Sequence, residues 1–137
     1  MTALVLYADA AVLTEDADAA ALLYERIEPF GDQIAWSAVT GYGLGRMYLG
    51  MLAGVLGKHE QADQDLKVAC EFQEAEGMPL WAARAHLGWA EGLAARGDRA
   101  GALEHAARAL ELSREHGYGL FECRAAALLE TASAAGT

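Results

Sequence analysis

Four things are scarce in this sequence, and each scarcity excludes a class of protein. Basic residues are few: ten Lys and Arg stand against 20 Asp and Glu, a net charge of −10. A surface of that sign repels a phosphate backbone and an anionic bilayer, so direct contact with nucleic acid or membrane is not expected. Cysteine is limited to Cys70 and Cys123. That excludes a disulfide scaffold, and both, lying within apolar helical stretches, are expected to be small core residues in a reducing compartment. Only two prolines occur, Pro29 and Pro79, and each falls where a helix can end or begin. Ile and Val are few and Ala is abundant, although 54% of the residues are hydrophobic. Alanine favours helix and adds little bulk, which suits closely packed helices and argues against a sheet.

The 137 residues are enough for one domain with a proper core. The opening Met1-Thr2-Ala3-Leu4 lacks a basic stretch, and Asp9 interrupts the apolar run, so a cytoplasmic location is expected. Ala38 to Gly57 is almost uncharged and resembles a membrane span in composition. It carries Arg46 near its middle and six glycines, however, and is expected to form a buried helix of a stack.

Periodicity and punctuation mark seven helices. The first runs from about Ala3 to Leu13, and Thr14 is expected to cap a second that reaches Glu28. Pro29, Gly31 and Asp32 break the chain, and a loop through Gln33 and Ile34 leads into a third helix lasting until Leu56. A fourth covers His59 to Glu76, closed by Gly77, and a fifth runs from Pro79 to Arg96. Asp98 caps the sixth, which ends before Gly117, and a last helix spans Leu120 to about Ala132. The tail Ala134-Ala135-Gly136-Thr137 is expected to fray. Nowhere do apolar and polar residues alternate long enough to predict a strand.

An internal repeat is the main signal. Leu49-Gly50, Gly57, Ala62, Leu66 and Ala69 recur at one constant offset as Trp89-Ala90, Gly97, Ala102, Ala106 and Ala109. A weaker copy lies upstream at a slightly larger offset, where Ala20 and Tyr24 match Ala62 and Leu66. Small residues let the two helices of a hairpin approach, large ones fill the space between hairpins, and glycine permits the tight turn. One hairpin cannot bury its apolar face alone, so several are expected to stack.

In these positions the chain resembles the tetratricopeptide repeat (TPR), with a period longer than the usual run of about 34 residues. The stretches Leu23 to Phe30, Tyr48 to Leu52 and Pro79 to Arg84 are similar to the carboxy-terminal repeat region of bacterial multidomain ATPase regulators. These include LuxR-type transcription factors and adenylate-cyclase-linked proteins, and the likeness covers about Ala17 to Gly117. The resemblance implies an all-α fold: a right-handed α-α superhelix of about three hairpins, near 3–29, 35–76 and 79–116, with a capping helix at 119–134. It also implies a segment of a larger protein whose ATPase and effector domains lie elsewhere. If the stack coils as such arrays do, Asp9, Met47, Met51, Arg84, Leu87 and Glu91 line a concave partner-binding face.

Catalytic and ligand motifs are incomplete. His59-Glu60-Gln61-Ala62-Asp63 approaches the zinc-protease pattern but ends in Asp, which leaves a polar helix start rather than a ligand set. Gly41, Gly43 and Gly45 follow no strand signal, and Gly57-Lys58 lacks the Ser or Thr that would hold magnesium. His59, His86, His105 and His116 have no ligand-like spacing. No catalytic residue, metal or cofactor is therefore expected.

Trp36 follows a loop and is the best candidate for an exposed interaction anchor. The function expected is non-catalytic: protein or peptide binding, including to other domains of a parent protein, with a homodimer allowed where terminal hairpins lack polar caps. The alternative is a sensor in which the Gly- and Met-rich third helix opens an apolar cavity for a small molecule.

Overall fold

The computed structural model describes residues 1–134. Among them the fold is all-α, with seven helices: α1 (Thr2–Thr14), α2 (Ala17–Ile27), α3 (Gly45–Val55), α4 (His59–Ala75), α5 (Pro79–Ala95), α6 (Arg99–His116) and α7 (Gly119–Ala134). A 3-10 turn at Glu28–Phe30 and a two-stranded hairpin, β1 (Ile34–Trp36) and β2 (Gly41–Leu44), separate α2 from α3. Of the tail expected to fray, residues 135–137 lie outside the described residues, and Ala134 ends α7.

The second half of the chain keeps a strict rhythm. Helices α4 to α7 start at His59, Pro79, Arg99 and Gly119, at equal intervals. Each start is preceded by a glycine with positive φ: Gly57 at 73°, Gly77 at 66°, Gly97 at 86° and Gly117 at 78°. A left-handed residue reverses the chain after the last helical turn and lets the next N–H reach back to an orphan carbonyl. Lys58 N–H thus donates to the Ala53 carbonyl and Asp98 N–H to that of Leu93, both at 2.9 Å. These two bonds are separated by one full repeat of the sequence, as the recurrence requires.

By packing, the chain divides into two compact units, Met1–Glu76 and Gly77–Thr137. In the first, α1 packs on α2 and α3, and α3 packs on α4. Val5, Ala8, Ala20, Ile27, Met47, Leu49, Leu52, Leu66 and Ala69 close its core. At Gly50 α3 lies close against α4: a β-carbon there would sit 2.5 Å from Leu66 Cγ and 3.1 Å from the Leu66 backbone nitrogen. In the second unit α6 packs on α5 and α7. Ala82, Ala83, Ala85 and Ala90 of α5, Ala102, Ala106 and Ala109 of α6 and Ala125 of α7 are all fully buried. Alanine at the contact lets helix axes come close and fill space with backbone.

Three expectations are corrected. Thr14 is the last residue of α1, and its hydroxyl donates back to the Ala10 carbonyl at 2.8 Å. Asp16 caps α2 instead, its carboxylate accepting from the Ala19 N–H at 3.0 Å. Second, the stretch from Ala38 is not helical, and α3 begins only at Gly45. Ser37 Oγ accepts from the backbone N–H of Thr40 at 3.2 Å and donates to the Thr40 carbonyl. Such side-chain bonds compete with helix, and here they turn the chain. Opposite Trp36 across the ladder stands Gly41, where a β-carbon would meet the indole ring at 3.0 Å. Third, Cys70 is buried in α4, but Cys123 is exposed on α7. Among the described residues no helix is long and apolar enough to cross a membrane.

Candidate interaction surface

An apolar groove runs between α1 and α2. Leu4, Tyr7, Ala11 and Thr14 recur at three- and four-residue intervals on one face of α1, and Ala19, Leu22, Leu23 and Arg26 do so on α2. Residues at that spacing stack along a helix, so each helix offers one continuous edge. Together they enclose an open cleft of about 440 Å³. Asp16 and Arg26 mark opposite ends of α2 along it.

Apart from Asp9 and its terminal threonines, α1 is apolar. Val5, Ala8 and Ala11 turn into the core, which leaves Leu6, Tyr7 and Leu13 at 51%, 65% and 78% exposure. Leu22 of α2 is 55% exposed. A helix that is hydrophobic all round is normally covered all round. Of these exposed side chains, Tyr7 and Leu22 line the groove, and contiguous exposed apolar surface marks interaction sites.

A second exposed apolar feature is the β-hairpin. Trp36, the expected anchor, is 66% exposed, and Val39 at the turn is 88% exposed. Thr2 Oγ donates to the Trp36 carbonyl at 2.6 Å, which fixes β1 to the start of α1.

A polar cluster centred on the buried Asp65 links α2, α3 and α4. Asp65 of α4 is 1% exposed and accepts from Arg46 Nη1 at 2.9 Å and Gln61 Nε2 at 3.1 Å, with Tyr24 Oη at 3.5 Å. The guanidinium also donates from Nε to Asp32 at 2.8 Å. Hydrogen bonds from Arg46 hold the Asp32 carboxyl below its usual range, and those to Asp32 and Asp65 hold the guanidinium firmly cationic. Burial, and then the Asp65 charge, push the Tyr24 phenol up. Gln73 Oε1 accepts from the Leu44 N–H at 2.9 Å, tying the end of β2 to α4. One guanidinium thus binds the segment after α2 to α3 and α4, replacing the regular turn found later in the chain. The chemistry is positional: it satisfies buried polar atoms around an irregular loop.

The six residues expected on a concave face are divided between the units. In the first, Met47 is fully buried, Met51 is half-buried on α3, and Asp9 is half-buried on α1. In the second, Leu87 is fully buried in the α5–α6–α7 core. Arg84 is half-buried with its guanidinium 6.0 Å from the centre of the Trp81 ring, and Glu91 is exposed and paired with Arg124 of α7. Burial of Met47 and Leu87 takes both out of direct contact with a partner.

The glycines of α3 do not open a cavity where they are closely approached. At Gly45 a β-carbon would meet the Phe30 carbonyl oxygen at 2.7 Å, and at Gly50 it would meet Leu66. In the second unit His86 Nδ1 lies 3.0 Å from His105 Nδ1, and the His105 ring stacks on Trp89 at 3.8 Å. Burial, followed by the nearby Glu74 and Glu71 charges, pushes the Cys70 thiol well above its ordinary value, which disfavours the reactive thiolate. Among the described residues no group of three or more His, Cys, Asp or Glu is placed to hold a metal ion.

No protein-family model matches the chain, and neither a curated protein nor a solved structure matches it.

Proposed function

We propose that this chain is a non-catalytic protein-interaction module built of TPR-like helical hairpins, serving as a segment of a larger bacterial signalling or transcriptional regulator. One observation supports binding most directly: the open apolar groove of α1 and α2, with Tyr7 and Leu22 more than half exposed beside it. The kinship with tetratricopeptide repeats draws support from the even spacing of the starts of α4 to α7 and from the small residues buried at the repeat positions. Its regulatory setting follows from the sequence resemblance alone. A partner seated in the groove would cover apolar surface, a favourable contribution partly offset by the entropy lost on association.

Site-specific photo-crosslinking in the source organism tests this. A photoreactive phenylalanine analogue at Tyr7 or Leu22 is expected to give discrete heavier protein adducts. The same analogue at Glu111, exposed on α6, serves as the comparison. Equal adducts from all three positions, or none from any, would count against an interaction module that uses this face.

A further inference from the structure

Charge divides between the two units far less evenly than size. Met1–Glu76 holds 13 acidic and four basic side chains, a net −9, whereas Gly77–Thr137 holds seven and six, a net −1. Within the first unit, α1, α2 and their connection carry Asp9, Glu15, Asp16, Asp18 and Glu25 against Arg26 alone. The groove is therefore lined mainly by apolar side chains, with Asp16 and Arg26 at its ends, and the two helices and connection that build it carry a net charge of −4.

Resting on the interaction reading above, we propose that the occupant of this groove is an amphipathic helix of a separate partner protein, with Lys and Arg flanking its apolar stripe. Geometry fixes the helical form. Two helices presenting edges at three- and four-residue spacing leave between them the seat for a third, packed side chain into cleft. The 13 residues of α1 set the usable length at about 20 Å, or three to four turns of the occupant. Charge fixes the sign. A unit with a net charge of −9 draws in a basic partner and repels an acidic one. It also disfavours a second copy of the chain, which would bring another net −9 against the same face. Tyr7, with an apolar ring and a polar tip, is suited to anchor such a helix at the rim.

The test uses the full chain and two synthetic helical peptides of about 14 residues. Both carry the same leucine stripe; one has Lys and Arg on its flanks, the other Glu. Fluorescence anisotropy at low salt is expected to show the basic peptide binding at least about tenfold more tightly. The gap should shrink at about 0.5 M salt, where screening shortens the reach of the field. A Tyr7→Ser, Leu22→Ser variant changes no charge and alters only exposed side chains, so its helical circular dichroism should match the wild type. It should lose most of the binding. Equal affinity for both peptides overturns the basic partner while leaving a protein-binding groove in place. Undiminished binding by the variant overturns the groove and leaves an interaction module that uses another face. Dimerisation of the wild type, abolished in the variant, with neither peptide bound, assigns the groove to a second copy and overturns the proposal. Failure of both peptides to bind a monomeric chain overturns it too, and crosslinking from Tyr7 and Leu22 then decides separately whether the chain is an interaction module.

Discussion

The two units build helical hairpins from different materials. In Gly77–Thr137 the helices meet through alanine and turn through evenly spaced glycines. Met1–Glu76 contains one hairpin of the same kind, α3 and α4, but it also accommodates a β-hairpin and a 3-10 turn between α2 and α3. That irregular insert leaves polar groups to satisfy, and Arg46, Asp65, Asp32, Gln61 and Gln73 satisfy them. Regular repeats can specify themselves through local small residues. Here the interruption is held by long-range pairs from Arg46 to Asp32 and Asp65, so single residues are expected to carry more of the stability.

The largest expected effect follows from that difference. Asp65→Ala would leave the Arg46 guanidinium without its buried partner and should destabilise the first unit by about 2–4 kcal/mol in urea unfolding. The value is kept below that of a wholly enclosed pair because Arg46 is one-third exposed. In the second unit, Glu111→Ala removes the exposed partner of Arg108 and should change stability by less than about 0.5 kcal/mol. Similar losses from both would erase the distinction.

Glycine substitutions sharpen the contrast with smaller effects of opposite sign. At Gly45 an added methyl meets the backbone of Phe30 and Gly31 at 2.7–3.0 Å, so Gly45→Ala should cost about 1–3 kcal/mol. At Gly92 of α5 nothing lies within 4 Å, and Gly92→Ala should gain about 0.5–1 kcal/mol through helix propensity. Thermal or urea unfolding of the two variants reads both signs.

A weaker asymmetry lies in pH. Tyr24 and Cys70 both belong to the first unit, and burial raises both above their ordinary values of 10.0 and 9.0. A group whose folded value is raised contributes its stability fully below the unfolded value and loses it as pH rises. The first unit should therefore weaken from about pH 9 upward, and Tyr24→Phe should flatten part of that decline above pH 10. Urea midpoints measured across this range check it.

How much of this is legible in the sequence depends on how local the cause is. The hairpins from Gly57 onward are readable because glycine, alanine and helix length repeat at fixed intervals, and their boundaries fall within a residue or two. Asp98 announces its cap, whereas Thr14 offers the right side chain for one while Asp16, two residues on, makes the bond. The β-hairpin leaves no signal because its strands are three and four residues long and its turn is held by Ser37. Such short strands offer no alternation to count. The polar cluster is hidden for another reason: Asp65 is 41 residues from Tyr24 and 19 from Arg46, and no spacing rule joins them. The groove does leave a signal, since Leu4, Leu6, Tyr7 and Leu13 surround α1 with apolar side chains. A helix whose large apolar residues are spread around its axis, with Asp9 the one charge among them, is its mark in the sequence.

The most direct test of a binding face confined to α1 and α2 is nitrogen–proton chemical-shift mapping of the full chain, titrated with the basic amphipathic peptide. Shifts are expected in residues 2–27, with little change in residues 79–134. Shifts concentrated in α5, α6 or α7, or spread evenly along the chain, would contradict it.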